Sequence, residues 1–135
     1  MAAVEPEWLL KSVVESFHAQ QLREHGGGQG LRDAGMLDSA LQKPQQMWHY
    51  ENPKPDIASL AAAYAYGLSR KHPYVDGNKR TAAIACEVFL LLNDYEFTIG
   101  ETEKYPNYLA LASGEHTQES FAQWLRDHTR TSTPT

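Results

Sequence analysis

The chain carries one cysteine, Cys86, so it cannot form an internal disulfide, and it suits a reducing compartment. It has no long apolar run. Its longest run of large apolar side chains, Val88 to Leu92, is far too short to span a bilayer. The start, MAAVEPEWLL, meets Glu5 and Glu7 before any apolar stretch and lacks the basic opening of a secretory leader. Positive charge is not in excess either. Twelve Lys and Arg against 17 Asp and Glu give a formal net charge of -5, which offers no global attraction for DNA or RNA. Internal repeats are missing, as are alternating apolar runs long enough for a sheet. These absences leave a cytoplasmic protein with no membrane segment and no direct nucleic-acid partner as the expectation.

What is present fits one helical domain. A chain of 135 residues is the size of a single core, and 41% hydrophobic with 21% charged residues is ordinary globular usage. Pro6 suits a first helical turn, and Trp8, Leu9, Val13, Phe17 and Leu22 recur at nearly helical spacing until GGGQG, residues 26–30, stops the pattern. Met36, Leu37, Ala40 and Leu41 predict a short helix that Pro44 ends or bends. Pro55 and Asp56 open the alanine-rich stretch IASLAAAYAYGLSRK. Asn78 is a good N-cap for KRTAAIACEVFLLLND, apolar nearly all round and therefore expected to be the central buried helix. YEFTIG suggests a brief extended turn and ETEKYPNYLALASG another helix. Thr117 caps a last one carrying Phe121, Trp124 and Leu125. The expected class is all-α, about six helices in one domain over residues 1–130, with 131–135 a disordered tail.

The stretch HPYVDGNKRTA, residues 72–82, is the chemical candidate. If one helix ends near His72 and another begins near Asn78, the unpaired N–H groups of the new helix point into the loop and form an anion site. Lys79 and Arg80 stand in its first turn, where the helix dipole opposes cations by about 0.3–1 kcal/mol each. A helix built for stability alone would carry acids there. Two cations make sense if phosphates bind between them. Asp76 supplies a hard oxygen suited to Mg²⁺, Gly77 removes bulk where backbone approaches a phosphate, and His72 can take a proton from an attacking hydroxyl. Each residue alone has a plainer reading: a DGN turn, a histidine capping a carbonyl, a solvated cation pair. The combination at one helix start is what points to chemistry. Cys86 reads as a small apolar residue, the three tryptophans as core, and GGGQG as either a mobile substrate loop or a flexible connection.

HPYVDGNKR resembles the Fic/Doc signature His-x-Phe-x-(Asp/Glu)-(Gly/Ala)-Asn-(Gly/Lys)-Arg, and in particular the Doc branch of toxin–antitoxin modules. The segment from Phe17 to Gln45, with its glycine-rich loop and Arg32-Asp33 turn, and the segment ASGEHTQESFAQWLRDH are similar to the corresponding Doc regions. The resemblance implies a compact helical bundle. It also implies His72 as general base, Asp76 as Mg²⁺ ligand, Asn78 with local backbone N–H groups as anion hole, and Lys79 and Arg80 as phosphate contacts. Gly26, Gly30, Arg32 and Asp33 would belong to a loop that positions the target. AMP-transferring members usually have Gly where this chain has Lys79, and a second Arg where it has Ala83. The departure resembles Doc, which moves the γ-phosphoryl group of ATP to a threonine of elongation factor Tu and is silenced in trans by an antitoxin. Tyr74 replaces the usual Phe, and Gly77 is the commoner Fic choice. AMP transfer and a non-catalytic, degenerate binding module remain the alternatives.

Overall fold

A computed structural model describes residues 4–132. It contains six helices, α1 (Lys11–His25), α2 (Ala34–Tyr50), α3 (Ile57–Arg70), α4 (Asn78–Leu92), α5 (Glu101–Ser113) and α6 (Gln118–Asp127), with two short strands, β1 (Tyr95–Phe97) and β2 (Thr129–Thr131). The all-α expectation holds.

The helix at the centre is α3, which packs against α2, α4, α5 and α6. The run of small side chains explains this. Ala61, Ala62, Ala63 and Ala65 are buried, and Gly67 lies so close to α2 that an added Cβ would stand 2.9 Å from the Ala40 Cβ. Helix α4, expected to be central, is buried on one side through Ala85, Cys86, Phe89 and Leu90 but exposes Leu91 and Leu92. An apolar sequence around a whole helix here marks one flank covered by neighbours and one flank left open.

Two prolines behave differently from expectation. Helix α2 runs through Pro44 to Tyr50. Pro44 is fully buried, so packing offsets the roughly 3 kcal/mol a mid-helix proline costs. Pro6 does not begin a helix, because α1 starts only at Lys11. The preceding segment is tied instead to the end of α4: Glu7 N–H donates to Asn93 Oδ1 (2.8 Å) and Asn93 Nδ2 donates to the Glu7 carbonyl (3.1 Å). Trp8 then stacks near Phe89 at 6.0 Å between ring centroids.

The sheet also departs from expectation. β1 and β2 pair antiparallel with Glu96 opposite Arg130, and Ser132 N–H donates to the Asp94 carbonyl (2.8 Å). The backbone through Ser132 is therefore held rather than frayed, while 133–135 lie outside the described residues. Asp56 and Thr117 do cap α3 and α6, Thr117 in a reciprocal capping box with Ser120.

Candidate active site

The motif loop leaves α3 through His72, whose φ of 50° lies in the left-handed region that residues with a Cβ seldom adopt. It re-enters helix at Gly77, φ 80°, the residue that precedes α4. Asn78, expected as the cap, is instead the first helical residue and buried. Its Oδ1 accepts from Tyr74 N–H (3.0 Å) and its Nδ2 donates to the Tyr74 carbonyl (3.0 Å). The side chain shapes the loop with its oxygen and one of its two Nδ2 protons, and Asn78 also lines the cleft described next. The N–H groups of Asn78, Lys79 and Arg80 have no intrahelical acceptor at this position, the first turn carries no acidic residue, and the residue before it supplies no side-chain cap. An open, positively polarised helix start results.

That start floors a cleft of about 450 Å³. His72, Asp76, Gly77, Lys79 and Arg80 line it, with Tyr105, Tyr108 and Leu109 of α5 opposite. The structure thus gathers around one opening the histidine, carboxylate and cations that the sequence singles out. Tyr108 is held by Glu87, its hydroxyl donating to Oε2 (3.0 Å), and burial pushes its ionisation far above the ordinary range. It presents a neutral wall. Glu87 is paired in turn with the buried Lys104 (2.8 Å), which also reaches Glu101 (2.7 Å).

Asp76 is exposed, and its Oδ1 accepts from Gly77 N–H (2.8 Å). Its Oδ2 faces Gly27, where any Cβ would stand 2.6 Å away. The glycine-rich loop therefore lies against the carboxylate, and only the absence of a side chain at Gly27 permits that approach. No cluster of three or more His, Cys, Asp or Glu forms a complete protein cage among the described residues. A single carboxylate beside cations fits an ion shared with substrate phosphates, the usual arrangement for Mg²⁺.

The loop predicted to face a target is exposed and tied to the motif loop. Arg32 Nε donates to the His72 carbonyl (2.6 Å) and Nη2 to the Lys71 carbonyl (2.8 Å). The N–H groups of Arg32 and Asp33 both donate to the Pro73 carbonyl (2.8 and 3.0 Å), and Val75 N–H donates to Gly30 (3.1 Å). Asp33 Oδ1 accepts from Met36 N–H and so starts α2 (3.0 Å). Gly26 and Gly30, both at positive φ, shape a separate concavity beside His18 and Leu22.

His18 is the site residue that sequence reasoning missed. It is buried on α1, stacks on Tyr74 at 3.6 Å between ring centroids, and its Nε2 lies 2.7 Å from the Asp76 carbonyl. A carbonyl only accepts, so Nε2 carries the proton. The available signal was its place on the face shared with Val14 and Gln21, a polar ring directed at the core. Cys86 is fully buried with its thiol ionisation pushed up by desolvation, in keeping with a packing role.

The model of the Fic/DOC family matches residues 8–90. Over 89 residues the chain is 37% identical to Toxin Doc of Mycolicibacterium smegmatis, covering 63% of this chain and 68% of that protein. Over 126 residues it is 28% identical to Protein kinase doc of Escherichia phage P1, covering 93% and 94% of the two.

Proposed function

The chain belongs to the Fic/DOC family, and from that premise we propose that it is the toxin of a toxin–antitoxin module, transferring the γ-phosphoryl group of ATP to a protein hydroxyl. The observation that carries the reading is the open start of α4, where Lys79 and Arg80 share one cleft with His72 and Asp76. The names of the two relatives support the toxin role and the kinase chemistry. The proposed acceptor is a threonine of elongation factor Tu, which would halt translation, and the proposed regulator is an antitoxin acting in trans. No helix among the described residues is long and apolar enough to cross a membrane.

In this mechanism the N–H groups at the start of α4, with Lys79 and Arg80, hold the phosphate oxygens by charge-assisted hydrogen bonds. Asp76 would hold Mg²⁺, which when bound neutralises phosphate charge. His72 accepts the proton of the attacking hydroxyl as its oxygen bonds to the γ-phosphorus. The bond from that phosphorus to the β-bridging oxygen breaks, ADP leaves, and the proton passes from His72 to solvent. Positioning and electrostatics supply most of the rate.

The test is the fate of labelled ATP with elongation factor Tu as acceptor. Label at the γ-position should become protein-bound while label at the α-position stays in solution. Protein-bound α-label would make the chain an AMP transferase, and no bound label from either position would favour a non-catalytic binding module.

A further inference from the structure

Arg32 does not line the cleft, yet its guanidinium grips the two carbonyls that flank the turn into His72. We propose that Arg32 is a positioning residue for His72, holding its left-handed backbone so that the imidazole stands at the mouth of the cleft. The inference rests on the proposed role of His72 as base.

Three observations carry it. Helix α3 ends at Arg70 with Lys71 as its cap, and the chain then enters an unfavourable conformation at His72, φ 50°. Such a residue relaxes unless its surroundings hold it. Two donors of one planar guanidinium meet two successive carbonyls at 2.6 and 2.8 Å, a fork geometry that a lysine ammonium cannot reproduce. The base of the clamp is itself fixed. The N–H groups of Arg32 and Asp33 share the Pro73 carbonyl, and the Asp33 carboxylate is tied to the first turn of α2. The backbone of His72 is thereby referenced to α2 and α3 together. Arg32 is exposed, and two of its guanidinium nitrogens are engaged by the protein's own loop.

Displacing a catalytic group by about 1 Å costs on the order of 10²-fold. Arg32→Ala should lower γ-phosphoryl transfer to elongation factor Tu by about that factor, with the dissociation constant for Mg·ATP unchanged, and Arg32→Lys should recover only part of the loss. The decisive readout is the double variant. In a His72→Ala background, Arg32→Ala should lower the residual single-turnover rate no further, because a clamp has nothing left to position. Independent, multiplying losses would overturn the proposal, as would a wild-type rate for Arg32→Ala. If Arg32→Ala folds poorly, Arg32→Lys carries the same comparison below its own melting temperature, where a purely structural role leaves its rate at the wild-type value and refutes the clamp. A wild-type rate for His72→Ala alone would refute the base assignment instead, so the two failures are distinct.

Discussion

Replacing Tyr74 with Phe should stabilise the protein. Tyr74 is buried in the motif loop, its ring stacked on His18, and its hydroxyl has no hydrogen-bond partner among the described residues. A buried, unpaired hydroxyl costs about 1–3 kcal/mol of desolvation. Removing it leaves a void the size of one oxygen, on the order of 10 Å³, which at about 24 cal/mol per Å³ costs only about 0.2 kcal/mol. The stack and the two backbone bonds to Asn78 are untouched. The net gain is about 1–3 kcal/mol, or roughly 3–10 °C in melting temperature for a domain of this size. Urea unfolding at pH 7 measures it as a higher midpoint with an unchanged slope. Burial holds the Tyr74 hydroxyl up at about 12. Wild-type stability should therefore fall as pH rises from about 10 towards 12, and the advantage of the Phe variant should widen over that window. Destabilisation by Tyr74→Phe at neutral pH would refute the reasoning, because it would mean that the hydroxyl is bonded.

Other consequences follow from the same loop and from the far side of the core. Gly77→Ala should cost about 1–2 kcal/mol in denaturant unfolding, since the position is left-handed and an added Cβ would lie 3.4 Å from His18 Cδ2. Lys79→Gly should abolish γ-phosphoryl transfer measured with γ-labelled ATP; full retention would show that Lys79 does not select the chemistry. Arg126 holds Asp56 by two hydrogen bonds, of 2.7 and 3.0 Å, and draws its carboxyl down to about 2. The pair's stabilisation is thus complete above about pH 4 and lost as pH falls towards 2. Because both side chains are about half exposed, solvent screening limits it to about 1 kcal/mol, and Arg126→Met should flatten that part of an acid-unfolding curve.

The legible parts of this fold are those whose cause is local. Asp56 and Thr117 accept from N–H groups three residues ahead, so their helices begin where the sequence predicts. The chemical loop is equally local, nine residues whose types suit an anion site. The misread parts depend on distant partners. Pro44 stays helical where the core buries it, and Asn93 draws the chain after Pro6 away from helix across 86 residues. The β1–β2 pair joins segments more than 30 residues apart, each too short to show alternation. Asn78 looked like a cap because its type favours one, but Gly77 took the left-handed position and freed the amide to bind Tyr74. His18 reaches the site only through folding, 58 residues from its partner, and carries no motif of its own; Arg32 is singled out by its loop, but the carbonyls it binds, 39 and 40 residues away, show only in the fold.

The central claim is that His72 performs proton transfer in the cleft at the start of α4. Single-turnover transfer from γ-labelled ATP to elongation factor Tu by His72→Ala, with Mg·ATP binding measured on the same sample, tests it most directly. The account predicts intact binding with a rate about 10²–10⁴-fold below wild type; transfer at the wild-type rate would contradict it.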